Sequence, residues 1–331
     1  MHRLSNHSVA LSVISVLTLW LVPFKFSESK ADEATGTALD IEYAEAARLS
    51  VKSLMLDITR LTDGSFVAVG ERGHVIHSAT GESWQQAGVV PTRSTLTTVA
   101  SYEDRLWAAG HDSVILTSGD GGATWTRLYF DPDRQQPIMD LYFFDADNGI
   151  AIGAYGLALF TSDGGLNWEE RIINEEEWHN NSILNINGSD LMVAGEAGFS
   201  YRSRDGGESW ETLEMPYSGS MFGLVGGAND CLLVFGLRGH IQESCDFGDS
   251  WSELETNTES SISGAIEHDG KIIMVGNSGL VLIRDGNGSF SSVNHSSGVD
   301  FAAIVAISDG NFLLAGEDGI HVFPETGQTD Q

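Results

Sequence analysis

The chain has 331 residues, 41% of them hydrophobic, which is enough apolar material for a large core. Its formal charge is −30, from 17 basic and 47 acidic residues, and such a surface repels nucleic acid and anionic lipid headgroups. No Cys/His cluster stands at ligand spacing, so no metal and no cofactor is expected. The 38 glycines favour short strands joined by tight turns.

Residues 1–31 read as a secretory signal. Arg3 begins a short basic region, Val9 to Val22 is apolar, and Ser29-Lys30-Ala31 offers small residues where a signal peptidase reads. The apolar run is shorter than the ~20 residues that span a bilayer. Export places the mature chain in the periplasm or outside the cell, the alternative being an uncleaved N-terminal membrane anchor.

From residue 32 to 324 one unit repeats. Gly-x-x-Gly recurs at Gly70/Gly73, Gly153/Gly156, Gly195/Gly198, Gly236/Gly239, Gly276/Gly279 and Gly316/Gly319, and Gly110 with Ser113 marks the remaining copy. The leading glycines are 40 to 43 residues apart. Seven copies at that period predict an all-β, seven-bladed β-propeller of four-stranded antiparallel blades. The fourth repeat shows the pattern. Strands are predicted at Ile183–Ile186, Leu191–Ala194 and Phe199–Ser203, and Trp210 opens the last.

The turn before each fourth strand carries Ser-x-Asp-x-Gly-x-x-Trp, an Asp-box. Its acid and indole are Asp120 and Trp125 in blade 2, Asp163 and Trp168 in blade 3, Asp205 and Trp210 in blade 4, and Asp246 and Trp251 in blade 5. Blade 1 keeps Ser78, Gly81 and Trp84 without the Asp, and blade 6 keeps Asp285 with Phe290 in the aromatic slot. An Asp carboxylate here accepts turn amides, and the indole covers apolar surface between blades. Because these residues follow the repeat, their predicted role is structural.

Cys231 and Cys245 flank the fifth glycine pair in strands that should be hairpin partners. The expected register sets Cys231 opposite Ser244, within one residue of Cys245, which leaves a cross-strand disulfide or two free buried thiols. Blade 7 lacks a fourth strand, because Pro324 follows its third and residues 325–331 form a polar tail. Residues Ile41 to Leu49 are expected to close the ring as that missing strand. The helix-forming run Ala44-Glu45-Ala46-Ala47-Arg48 supports a helix instead.

Function has two predicted locations. Period-2 alternation in the innermost strands places Asp57, Thr97, Asp140 and Asn185 on the central channel, with Gly223, Gly264 and Ala303 completing the circle. This is a solvated wall or a site for a cation or ligand. The links between blades at Tyr129–Pro137 and Ile173–Ser182 are long and depart from the repeat, as binding loops of repeat proteins do. They offer Tyr129, Phe130, Arg134, Trp178 and His179 as partner-binding anchors, with Tyr217 in a shorter neighbouring link and Arg72 and Arg238 in the Gly-x-x-Gly turns of the same face.

Repeats of the form G-x-x-G-x-I/L-x-x-S/T-x-D-G-G-x-x-W resemble the photosystem II assembly and stability factor family, with Gly156–Trp168 in closest agreement. The resemblance covers residues 40–323. It implies an exported, non-catalytic propeller that binds membrane proteins during assembly. Photosynthetic members carry an arginine-rich patch, whereas here the slot before the second glycine holds arginine only at Arg72 and Arg238. That departure implies a relative in a non-photosynthetic bacterium with another client: an envelope or inner-membrane protein such as a transporter or membrane complex. The chain would act as a monomer, with membrane contact only through the partner. The rival is a sialidase- or glucanase-like glycoside hydrolase, for which Asp57 and Asp140 are the only carboxylate pair to name.

Overall fold

Each repeat folds into one antiparallel meander, and seven meanders stand side by side as separate sheets, six of four strands and one of three. The computed structural model describes residues 41–227, 230–308 and 310–324; the signal reading of residues 1–31 and the tail 325–331 lie outside the described residues. Blade 1 runs from Met55 to Gln86, blade 2 from Leu96 to Tyr129, blade 3 from Ile138 to Glu170 and blade 4 from Asn180 to Glu214. Blade 5 spans Met221 to Leu254, blade 6 Ile262 to Asn294 and blade 7 Phe301 to Phe323.

The second strands of blades 1, 4 and 5, Phe66–Gly70, Leu191–Gly195 and Leu232–Gly236, are buried along their whole length. A strand covered on both faces needs a continuous apolar run. Between every two blades lies an apolar cluster, such as Val67, Val69, Leu106, Leu116 and Trp125 between blades 1 and 2. The last interface joins Met55, Phe66 and Ile76 of blade 1 to Leu313 and Ala315 of blade 7, which closes the ring.

The expectation for Ile41–Leu49 is corrected. This segment is neither strand nor helix, and blade 7 has three strands among the described residues. Its hydrogen bonds go to blade 1 and the link that follows it. The Ala44 amide donates to the Val90 carbonyl at 3.0 Å, and the Gln86 side chain takes the Ala47 amide and gives to the Glu45 carbonyl. Ala44 also packs against the apolar cluster between blades 1 and 2. A small apolar side chain and two side-chain anchors hold the segment there.

The two glycines of each pair answer different demands. A Cβ on Gly70 would strike the Leu54 carbonyl oxygen, so the first glycine permits close approach of backbone to backbone. Gly73 has φ +70°, the left-handed region that side chains disfavour. The residue before the second glycine is also left-handed in all seven blades: Arg72, Asp112, Tyr155, Ala197, Arg238, Ser278 and Asp318 have φ between 54° and 61°. Non-glycine residues rarely adopt this conformation, and here the turn imposes it seven times.

Candidate functional site: the Gly-x-x-Gly face and the central channel

In every innermost strand one residue bulges out of register against the second strand: Leu56, Thr97, Met139, Asn181, Phe222, Ser263 and Ala302. The residue after each bulge therefore turns to the channel together with it. Asp57, Thr97, Thr98, Asp140, Asn181 and Ser182 line the polar part of a channel cavity of about 220 Å³. Gly223, Gly264 and Ala303 line the opposite part. Asn185 is not among them, and that expectation is corrected. It ends the innermost strand of blade 4 and caps the turn that follows, its side-chain nitrogen donating to the Gly188 carbonyl and its side-chain oxygen accepting from the Gly188 amide. Period-2 counting fails because a bulge adds a residue and resets the alternation.

The channel acids are committed to joining blades. Asp57 Oδ2 accepts the Val99 amide of blade 2, and Oδ1 accepts the Ile58 amide, both at 2.8 Å. Asp140 Oδ2 accepts the Ser182 hydroxyl and the Ile183 amide of blade 4 at 2.9 Å, while Oδ1 takes Leu141 and Thr98. Burial pushes Asp57 up to about 7, with the Asp140 charge adding to the rise against the Val99 and Ile58 hydrogen bonds. Burial raises Asp140 as well.

The Asp-box residues hold their own turns. Asp120 Oδ1 accepts the Ser118 hydroxyl and the Thr124 amide, and the Trp125 indole donates to the Gly122 carbonyl at 2.9 Å. Asp163 with Trp168 and Asp205 with Trp210 repeat the pattern. Asp246 does likewise with Ser244 and Ser250, but the Trp251 indole nitrogen is buried without a partner among the described residues. Hydrogen bonds from Ser209 and Ser250 push Asp205 and Asp246 down to about 2. Cys231 and Cys245 form a disulfide, one register step from the Leu232–Ser244 pair.

The two long links share a face with the Gly-x-x-Gly turns. The Asp131 amide donates to Asp112 in the turn of blade 2, and the Trp178 carbonyl accepts the Gly156 amide of blade 3. Several expected anchors are turned inward. Tyr129 packs beneath the link against the apolar cluster between blades 2 and 3. Phe130 packs on the neighbouring cluster with Arg127 stacked 4.5 Å over its ring. Arg134 is held by Glu170 at 2.9 Å and Asp131 at 3.4 Å. Tyr217 stacks on His240, with ring centres 3.7 Å apart. Arg72 projects to solvent on blade 1, and Arg238 sits on blade 5, across the ring from it.

Trp178 is exposed, and His179 packs edge-on against Tyr155 at 4.8 Å. Their loop is clamped from below by two buried asparagines. Asn174 Nδ2 donates to Asn180 Oδ1 at 2.9 Å, Asn180 donates to the Leu157 carbonyl, and Asn174 Oδ1 takes the Trp178 amide. Beside the loop is a cleft of about 350 Å³ lined by Gln136, Tyr155, Ile172, Asn174, Glu175 and Glu177 among others. Sequence reasoning passed over Tyr155 and Ile172. The signal available for Tyr155 was an aromatic residue in a slot filled by polar or small residues in the other blades.

The family model described as "Photosynthesis system II assembly factor YCF48" matches residues 129–319, more than half of the chain. A curated relative, the "Photosystem II assembly lipoprotein Ycf48" of Synechococcus sp. (strain CC9902), is 29% identical over 114 residues, and the match spans about a third of each protein (34% of both). The solved structure "YCF48 bound to D1 peptide" superposes with a TM-score of 0.69 at 18% identity, covering 85% of this chain and 95% of that one. YCF48 from Cyanidioschyzon merolae gives 0.65 at 15%, covering 85% and 97%. A streptogramin B lyase gives 0.72 at 14%, covering 85% and 96%, a likeness of fold alone. With the seven blades, their glycine turns and this match together, the chain belongs to the YCF48 photosystem II assembly factor family.

Proposed function

We propose that the chain is an exported, non-catalytic binding scaffold that assists the assembly or stability of a membrane or envelope protein, acting as a monomer and without a cofactor. The observation that carries this reading is the face where the Gly-x-x-Gly turns meet the clamped 173–182 loop, the irregular link with an exposed aromatic anchor, Trp178. Departures from a repeat on one face are where repeat proteins bind. A family relative is described as bound to D1 peptide, so capture of a client segment is the working analogy. Arginine in only two of the seven left-handed slots argues for a client other than a photosystem.

A hydrolase reading finds less support. Both oxygens of Asp57 and of Asp140 accept hydrogen bonds from the ring, which gives these two carboxylates a role in joining blades.

The test is affinity capture of the mature protein from its own envelope extract, with mass spectrometry of what it retains. The expected result is a specific membrane protein, lost from a folded Tyr155→Ala/Trp178→Ala variant. Failure of the wild-type protein to retain any envelope protein would refute the reading.

A further inference from the structure

Three exposed apolar side chains, Tyr155, Ile172 and Trp178, belong to one region of blade 3. Tyr155 and Ile172 line the same cleft, and the Trp178 carbonyl is fixed to the Gly156 amide that also borders it. Exposed apolar residues scattered singly are ordinary; a group around a concave surface marks an interaction site. Tyr155 reaches its place because the turn holds it left-handed, at φ 54°.

The charge around this cleft is predominantly acidic: Glu170, Glu175 and Glu177 line it, and the one cation in its lining, Arg171, is already paired with Glu169 and Glu208. Glu176 stands between Glu175 and Glu177 in the chain; all three are exposed, and no side chain of the three makes a hydrogen bond or ion pair among the described residues. The neighbouring acids differ, for Glu170 is paired with Arg134, and Glu169 and Glu208 share Arg171. Glu177 is held left-handed at φ 54°, and the two buried asparagines clamp the loop that carries it. A flexible surface loop would place such acids anywhere; this one fixes them beside an apolar cleft.

We infer that this cleft docks an extended, basic segment of a partner protein, with one aliphatic or aromatic side chain seated against Tyr155 and Ile172 and flanking lysines or arginines facing Glu175, Glu176 and Glu177. The inference rests on the scaffold reading and supplies the chemistry of its partner. Unpaired carboxylates around an apolar centre reproduce the polar rim and apolar core of a docking site. The net charge of −30 steers a basic segment towards the ring but does not select one surface of it. Selection falls to the cleft.

The probe is a fluorescein-labelled lysine peptide with a central leucine, titrated by anisotropy at physiological salt, beside the same peptide with serine in place of leucine. The full mature chain is compared with E175Q/E176Q/E177Q, with Y155A/I172S, and with a charge-matched control, E214Q/E255Q/E259Q. The three control acids are exposed, and their side chains make no hydrogen bond or ion pair among the described residues. Expected are a loss of about tenfold or more in affinity for the first two variants, less than about twofold for the control, and weaker binding of the serine peptide. Equal losses in the control would show unselective attraction to an acidic surface and overturn the inference. So would a mass that doubles in light scattering and reverts in Y155A/I172S, because the cleft would then belong to a second copy. If the peptide ignores the cleft while envelope capture persists, this inference fails and the scaffold reading stands. If capture also fails, both fall.

Discussion

The Asp57 carboxylate of blade 1 accepts the Val99 amide of blade 2 at 2.8 Å, and its partial withdrawal from water pushes it up to about 7. A folded-state value above the unfolded one means that the folded chain holds a proton the unfolded chain releases. Stability from this group is therefore full below about pH 4 and falls as pH rises towards 7. Asp205 and Asp246 work in the opposite sense. Held down to about 2, they contribute stability above the unfolded value of 3.8 and lose it as pH falls through the range between.

Melting temperatures across pH should separate the two. Asp57→Asn is expected to flatten the decline between pH 4 and 7, although one turn or blade amide then faces an amide donor and the variant starts less stable. A D205A/D246A variant should instead lose less than wild type on acidification from pH 4 to 2. An unchanged slope in the first variant would show that Asp57 titrates alike folded and unfolded.

Gln242 is wholly buried, and neither its amide nitrogen nor its oxygen has a partner among the described residues. The register of its strand equates it with Ile76, Leu116, Leu159 and Leu282, apolar residues at the same step of blades 1, 2, 3 and 6. An unsatisfied buried amide costs about 1–3 kcal/mol. Gln242→Leu should therefore stabilise the ring by about 1–2 kcal/mol in urea unfolding. A loss of stability would mean that the amide is satisfied in solution.

Trp125 and Trp168 occupy the same slot of successive turns, but Trp125 is only 3% exposed whereas Trp168 is half-buried. Trp125→Ala should cost about 3–5 kcal/mol, and Trp168→Ala distinctly less. Comparable losses would mean that the indole hydrogen bond to the turn glycine, shared by both, dominates over burial.

The disulfide closes a loop of 14 residues between Cys231 and Cys245. Loop-closure entropy puts its contribution at about 3 kcal/mol. A C231S/C245S variant should unfold at correspondingly lower denaturant, with the shift reproduced by reducing the wild-type protein. No shift in either case would show that residual structure already restrains that loop in the unfolded chain.

The ring was legible because its evidence is repetitive. Six glycine pairs, a seventh copy in Gly110 and Ser113, and four complete Asp turns carry the same local physics, so an error in one blade is corrected by the others. The cross-strand register of Cys231 and Cys245 was placed to within a residue for the same reason, although the sequence left open whether the two are bonded. What failed was non-repetitive. Asn185 was assigned to the channel because a bulge at Asn181 cannot be seen in an alternation count. Ile41–Leu49 was given to blade 7 by topology, whereas Ala44 and Gln86 bind it to blade 1. Tyr129 was taken as a free anchor, but aromatic type alone does not tell a ring that covers a core from one that waits for a partner. The buried asparagines Asn174 and Asn180 were hidden within a loop that read as merely polar.

Among the described residues, side-chain hydrogen bonds lace one arc of the channel wall. Thr97 and Thr98 reach blade 3, Asp57 and Asp140 reach blades 2 and 4, and Asn181 reaches the Met221 carbonyl of blade 5. Beyond that point Gly223, Gly264 and Ala303 have no side-chain donor or acceptor to offer. The molecule is thus a girdle with a clasp, and transient opening of its inner rim should begin between blades 5 and 7. Amide hydrogens of those inner strands would exchange first, and a circular permutant with its new ends in that arc would disturb the ring least.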